Sequence, residues 1–503
     1  HRWCVARAWL LVSPIPITLP ATLQPACMPT VPLPRRASDH FAGRRGDDED
    51  PQPAEVQPLM QGGKRVTTHL EYYGSWKTGL WVPKSGERNP AKRWVMVVSA
   101  FANIAPAGCL VVSRPTGGVL PSLFAMAIFG SLAAFGAHNY AVALTISGCV
   151  TLPEIWRRCI GRWTAFVPIL TTAFTCFSCC VGYANFYGRL LANVWPWNPA
   201  PRIVDSPECW YVWLSCVFPM AYLVCLKDIS VMRFSTAIAG VSCTLVPVLA
   251  AWRYFDGSYA EGGQWGLHTT MQSKRPHMYK FWEFHEMPSR LVSIQGVLFL
   301  FHFNAVKYFR ELEMPKVGRY TWGVSYAIGS GFVVVASTMI FVFLTFGHQT
   351  MMLTLDNYAN NDVVANVARV AISIGLIGCF PLLFSGLREA LVELLSDVLP
   401  YSVNTFQTII FQNCLSIVLL IVVMCVANAS RRLDLLLINV GRSCCGSLLI
   451  YTIPGIVYLA ATWKHTTWAN LSLPHLVLTV TVGILGVVMM GTSACVWGWY
   501  GLL

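Results

Sequence analysis

Between positions 94 and 498 the sequence is a succession of apolar runs, each about as long as a bilayer is thick, with short polar junctions between them. A hydrocarbon core about 30 Å thick needs roughly 20 apolar residues to be crossed as a helix. No water is present there to bond stray backbone groups, so each crossing must close its own hydrogen bonds. This confines the chain to a bundle of membrane helices. Charge agrees, because 12% of the 503 residues are charged, where a soluble protein carries about 25%. The formal charge of +12 sits largely in the amino-terminal region and beside the apolar runs, which is the pattern of membrane orientation rather than of nucleic-acid binding. The chain therefore reads as an all-α polytopic membrane protein with the lipid bilayer as its partner.

Taken in order, the runs are 94–121, 119–150, 163–192, 209–226, 232–252, 291–306, 320–346, 363–387, 406–427, 435–461 and 474–498, giving eleven expected crossings. Arg157, Arg158, Arg162, Lys227, Arg233, Lys307, Arg310, Lys316, Arg319, Arg388 and Lys464 fall on the face that also carries Lys92 and Arg93. That bias puts the amino terminus in the cytoplasm and the carboxyl terminus outside. Arg431 and Arg432 run against it. The sequence starts at His1, with Met28 as an alternative start, and residues 1–92 are rich in Pro, Gly and charge, the composition of a disordered cytoplasmic tail. Residues 253–289 are expected to form an extracellular or luminal loop.

The first run contains Pro106, Gly108 and the cluster Pro115-Thr116-Gly117-Gly118. Proline lacks an N–H and both residue types favour non-helical backbone, so the run reads as a broken helix, with an ordinary proline kink as the alternative. Freed backbone groups at that depth are tolerated where they line protein or a water-filled cavity. Most of the 18 cysteines lie inside apolar runs and act there as small apolar residues. Cys176 and Cys179 have a metal-like spacing without a companion His or second pair, so no metal and no cofactor is expected. There is no HExxH, no aspartate pair within an apolar run and no phosphate-binding glycine loop, which argues against an enzyme.

Several short phrases now fit one pattern. The first run has Asn103, then Ala107-Gly108-Cys109, then Gly117-Gly118. The sixth has Phe299-Leu300-Phe301-His302-Phe303-Asn304 and leaves through Tyr308-Phe309-Arg310-Glu311. The seventh ends in Phe343-Leu344-Thr345-Phe346-Gly347, and the eighth carries Arg369, Phe380-Pro381 and Arg388. Over about residues 92–495 this resembles the amino acid/auxin permease family of the amino acid/polyamine/organocation superfamily. The resemblance implies eleven helices in an inverted five-plus-five repeat plus an eleventh, with helices 1 and 6 unwound, residues 93–503 forming the transporter domain. It also implies secondary-active transport of amino acids by alternating access, with a proton or sodium ion as possible coupling partner.

The chemistry of such a substrate fits the residues. Backbone N–H groups near Ala107, Gly108 and Cys109 would receive a carboxylate, and carbonyls near Phe301, His302 and Phe303 an ammonium group, with the two phenylalanines shaping a side-chain pocket. Two departures matter. A single Gly108 stands where the family has two glycines, and Cys379 stands where sodium-coupled members have a hydroxyl, a soft ligand for a hard cation. Proton coupling or uniport is therefore favoured over sodium coupling. Ionisable residues inside membrane segments are functional candidates. His302 is the candidate proton acceptor, with a core histidine as the alternative, and Arg442 a candidate partner of an acidic group, with a structural ion pair as the alternative. Rival readings are a membrane-embedded amino acid sensor or receptor with the same fold and a permease for another small organic ion. The plasma membrane is the expected site, a vacuolar or lysosomal membrane the alternative.

Overall fold

The computed structural model describes residues 92–111, 118–196, 207–265 (without 216–218, 227, 228 and 261), 288–399 (without 348, 349 and 352), 406–429 (without 407), 440–465 and 472–501. Its helices are α1 (Arg93–Val111), α2 (Val119–Ser147), α3 (Leu152–Cys159), α4 (Phe166–Val194), α5 (Pro207–Ser215), α6 (Ile229–Phe255), α7 (Pro288–Gln295), α8 (Ala305–Glu311), α9 (Val317–Phe346), α10 (Val363–Val398), α11 (Ile409–Ala429), α12 (Ile453–His465) and α13 (Leu473–Gly501). A short turn of helix, Ala221–Leu223, lies between α5 and α6. Two π-helical stretches, Val440–Cys445 and Leu448–Thr452, run into α12 and make one rod with it.

Local chemistry sets several of these ends. Asp362 caps α10 by accepting the N–H groups of Val364 at 2.9 Å and Ala365 at 3.3 Å. Thr151 caps α3 through the Glu154 N–H at 3.3 Å. Gly148, at φ 63, takes the left-handed conformation that closes α2, and its N–H returns to the Leu144 carbonyl.

Among the described residues nine helices are long and apolar enough to cross a membrane. What they turn outward confirms the solvent: on α6, Phe234, Ile238, Val241, Leu245, Val248, Trp252 and Phe255 form an exposed stripe at helical spacing. Such a stripe on a soluble protein would aggregate, and in a bilayer it is the lipid-facing side. The helices divide into an enclosed set and an outer set. An apolar 18-residue stretch of α10 is 78% buried and one of α1 76%, against 22% for α11 and α13. α10 packs on α4 and α6, α1 on α9 and α6, and the rod ending in α12 packs on α2.

Two expected spans are not among the nine. The fourth is described as α5 and the turn Ala221–Leu223, with residues 216–218 between them outside the described ones, and the sixth is divided into α7 and α8. The sixth is thus interrupted, as expected. The first is not: α1 is helical from Arg93 through Pro106 and Gly108 to Val111. The physical reason is that Pro106 removes a single i→i−4 bond, and Ala107 and Cys109 on either side of Gly108 accept helical backbone. The cluster from Pro115 to Gly117 lies outside the described residues.

Candidate functional site

The break in the sixth segment is the most buried irregular backbone described. From Gly296 to Phe301 the chain leaves the helix, then makes one 3-10 turn over His302–Asn304 before α8 begins. Val297, Leu298, Phe299, Leu300 and Phe301 are all buried. Freed carbonyls in such a place need donors. Tyr451, in the second π-helical stretch, donates its hydroxyl to the Gly296 carbonyl at 2.5 Å, and Tyr320 of α9 donates to the Ala305 carbonyl at 3.1 Å. Tyr140 of α2 does the same for the Leu449 carbonyl at 3.0 Å, where the π-helix widens. At Gly296 a Cβ would lie 1.9 Å from Met489 Cε and 2.6 Å from the Val292 carbonyl oxygen, so glycine permits the close approach of α13.

Several of the expected site residues meet here. Gly108 abuts the break, since a Cβ on it would stand 3.1 Å from Leu298 Cδ1 and 2.4 Å from Val335 Cγ2. Asn103 reaches α8, donating its Nδ2 to the Tyr308 hydroxyl. The Tyr308 ring faces Phe301 at an interplanar angle of 26°, with centroids 6.5 Å apart. His302 Nε2 is 2.9 Å from the Ala133 carbonyl of α2. A carbonyl only accepts, so Nε2 carries the proton and Nδ1 keeps its lone pair. Phe303 is half-buried and packs near Gly386 of α10.

Others are held apart from this cluster. Cys109 sits further along α1, where its thiol faces the Cys243 carbonyl at 3.8 Å and Thr338 at 3.9 Å. Its own carbonyl accepts the Thr354 hydroxyl, which also reaches the Leu110 carbonyl at 3.3 Å. The backbone N–H groups of Ala107, Gly108 and Cys109 belong to the continuous helix, so the expected half-helix end is not found there. Cys379 is buried on α10 with its thiol directed to the Leu376 carbonyl at 3.4 Å. Arg442 lies in the first π-helical stretch, and its side chain is outside the described ones.

What marks the region is unspent polarity. Ser99 Oγ, Asn103 Oδ1, Gln295 Oε1 and His302 Nδ1 are buried without a hydrogen-bond partner. Each such group costs about 1–3 kcal/mol in an apolar interior, so a set of them is retained only where something else takes the bonds. Ser99 and Gln295 escaped the sequence reading. Ser99 stands one helical turn before Asn103 on the same face of α1, a spacing that could have flagged it. Tyr308, Tyr320 and Tyr451 also escaped it, having nothing local to distinguish them from core aromatics.

The two ends of the bundle are tied by charge. On the amino-terminal face Arg157 of α3 pairs with Glu393 at 3.0 Å and Asp397 at 2.7 Å, Lys307 of α8 with Glu389 at 2.6 Å, and Lys464 donates to the Arg158 carbonyl at 2.5 Å. Arg388 is buried and holds the end of the fourth segment through the carbonyls of Val224 at 2.8 Å and Leu226 at 3.2 Å. On the opposite face Arg253 joins Asp256 and the buried Asp362, and Arg189 pairs with Asp356 at 2.6 Å. Burial raises the Asp356 carboxyl above its ordinary value despite Arg189 and Arg369 nearby. Arg369, fully buried, donates to the carbonyls of Leu355, Tyr358 and Ala359 and so fixes the loop that caps α1. An apolar cavity of about 510 Å³ lies elsewhere, between α4, α10, α11 and Cys445, and none of the expected site residues lines it.

No curated protein matches the sequence. Among solved structures, MhsT in complex with L-phenylalanine aligns with 13% identity and a TM-score of 0.48, covering 81% of this chain and 99% of that one. The inward facing conformation of Mhp1 aligns with 11% identity and a TM-score of 0.49, covering 82% and 92%. A mutant of the Eremococcus coleocola manganese transporter aligns with 11% identity and a TM-score of 0.48, covering 84% and 91%. The family model for transmembrane amino acid transporter proteins matches residues 94–498, from the start of α1 almost to the end of α13. With that match spanning the whole helical bundle, the chain belongs to the transmembrane amino acid transporter protein family and is a multi-pass membrane transporter.

Proposed function

We propose that the chain moves amino acids by secondary-active alternating access, with substrate held where α1 crosses the interrupted sixth segment. The observation that carries this is the buried, unpartnered polar atoms of Gln295 and His302 on either side of the irregular backbone and of Asn103 on α1, which bonds to Tyr308 just beyond it. An amino acid offers both donors and acceptors to such a set, and an apolar solute offers neither. Neutral aromatic groups, Phe301 and Tyr308, complete the wall. The carboxylate is received by the sixth segment rather than by α1, whose N–H groups at Ala107 to Cys109 are spent within its helix.

Eleven crossings remain the reading for the whole bundle. The fourth segment starts near Trp195, to whose carbonyl Tyr211 donates at 2.8 Å, and ends at Arg388 on the other face. The sixth starts near Ser293, bonded to Ser493 of α13 at 3.0 Å, and ends at the Lys307–Glu389 pair. Both therefore reach from one face to the other, the sixth in pieces. The basic residues of α3, α8 and Lys464 share the amino-terminal face, which supports a cytoplasmic amino terminus. His302 Nδ1 supplies a free proton acceptor beside the break, whereas the Cys379 thiol is turned to its own helix, so the proton is the favoured coupling ion.

The test is uptake of a labelled amino acid panel into vesicles holding the purified protein, with and without sodium, at about pH 5.5 and about pH 7.5. Saturable uptake of at least one amino acid, faster with an inward proton gradient and indifferent to sodium, is the expected result. Binding without flux would instead make the chain a sensor that keeps the fold.

A further inference from the structure

Two histidines meet away from the break, towards the amino-terminal face, where α2, α9, α12 and α13 converge. His138 of α2 and His475 of α13 stand edge to face with ring centroids 5.8 Å apart. Phe135 and Tyr458 flank His475, with centroids at 5.0 and 4.8 Å. The Thr321 hydroxyl of α9 gives its proton to the Val317 carbonyl at 2.9 Å. His138 Nδ1, 2.9 Å from that hydroxyl, therefore donates to it, and Nε2 keeps a lone pair. His475 Nε2 donates to Asn139 Oδ1 at 3.1 Å, and Asn139 Nδ2 to Thr479 Oγ1 at 3.4 Å, so Nδ1 is the lone pair of the second ring. Both rings are neutral as packed. The titratable groups facing the pair are the two imidazoles themselves, from α2 and α13, and the Tyr458 phenol from α12, while α9 brings only the Thr321 hydroxyl. No carboxylate among the described residues acts on either ring. A proton on one of them therefore puts a charge among aromatic walls with no counter-charge. The two are not held equally. His138 is buried in mid-helix and tied to α9, whereas His475 is the third residue of α13, next to an exposed end at Leu473, so its ring can turn out to the interface once charged.

We infer that His138 and His475 form a second proton-binding site, at which acid on the amino-terminal face turns His475 out of the bundle and slows transport. The effect on transport rests on the reading above, and the proton site does not. The sign follows from the packing: the neutral pair holds α13 to α2, and that contact is lost as pH falls through the range in which an imidazole takes a proton. α2 carries the change to the candidate site. Five residues before His138 its Ala133 carbonyl holds His302 Nε2 at 2.9 Å. Two residues after His138, Tyr140 donates to the Leu449 carbonyl at 3.0 Å and stands 6.4 Å from the His302 ring. When His475 leaves, Asn139 loses its bond and Phe135 its ring partner, both on this same helix. A carrier that brings protons to that face meets there a brake that grows with the acid it delivers.

The experiment follows two quantities from about pH 7.5 to about pH 5. One is exchange of labelled for unlabelled amino acid in vesicles with the same pH on both sides, so that no proton gradient drives it. The other is the melting temperature of the detergent-purified full chain. In wild type exchange should fall about tenfold across the range, and the melting temperature should fall with it. His475→Gln, which keeps a donor for Asn139 and does not titrate, should remove most of both falls. His475→Phe, which keeps the ring contacts with Phe135 and Tyr458, should do the same and serves if the first variant does not fold. His138→Gln leaves an N–H for Thr321 and removes the neighbouring imidazole, so the midpoint of the fall should move to higher pH. Falls that survive both His475 substitutions, or a midpoint that moves to lower pH in His138→Gln, would overturn the inference. Exchange that ignores pH while melting follows it would overturn the brake. Melting that follows pH in wild type and not in the His475 variants, with no exchange at any pH, would uphold the proton site and defeat the transport reading instead.

Discussion

The first and sixth segments lie side by side in the middle of the bundle, and they handle the loss of helical bonds in opposite ways. α1 contains a proline and stays helical through it, while the sixth segment contains no proline between Leu291 and Ala305 and comes apart from Gly296 to Phe301. The difference lies in the neighbours. Around the sixth segment the hydroxyls of Tyr451 and Tyr320 meet the Gly296 and Ala305 carbonyls, and α13 presses close at Gly296. Around α1 the atoms beside Gly108 are aliphatic, Val335 of α9 and Leu298, and the Thr354 hydroxyl reaches only the carbonyls of Cys109 and Leu110 at its end. A backbone break inside a membrane forms where distant side chains bring donors to it, and a proline alone does not make one.

That contrast can be broken most forcefully at Gly296. Gly296→Val puts a side chain where Met489 and the Val292 carbonyl already stand, and should lower stability by about 3 kcal/mol, read as a fall in melting temperature of the detergent-purified protein. An unchanged melting temperature would mean that close contact with α13 does not hold the break. Next in size is Tyr451→Phe, which removes the donor at 2.5 Å and strands the Gly296 carbonyl, at a cost of about 1–3 kcal/mol. If the same substitution proves neutral, water rather than tyrosine serves that carbonyl.

The positions of most helices were legible because length and apolarity are local properties: the predicted 320–346 is the observed Val317–Phe346, and 474–498 is Leu473–Gly501. The interruption of the sixth segment came from the phrase around Phe301 to Asn304, not from any backbone breaker in it. Pro106 misled for the converse reason, since its missing N–H is visible locally and the packing that carries α1 past it is not. Asn103 and Phe301 were expected from the resemblance of their phrases to the family, and His302 also as an ionisable residue within an apolar run. Tyr308 and Tyr451 were not, because a buried tyrosine looks like core until its hydroxyl is seen on a carbonyl, in the case of Tyr451 across 155 positions of sequence. Arg388 was read as a basic residue of the amino-terminal face, but that it holds the carbonyls of Val224 and Leu226 in the fourth segment could not be read from the chain.

The smallest effect sharpens the contrast from the other side. In α1 the carbonyl of Ala102 lacks the donor that residue 106 would normally supply, and Ala102 is fully buried. Pro106→Ala restores that donor without altering the path of the helix, so it should raise stability by about 1 kcal/mol, the usual worth of one buried backbone bond. Because the substrate contacts assigned to α1 come from Asn103 and not from freed backbone, amino acid uptake should remain near the wild-type rate. Collapse of uptake in a variant whose melting temperature has risen would mean that α1 opens at Pro106 during the cycle. The two segments would then differ only in when they unwind, and the rod seen in α1 would be one stage of the same device.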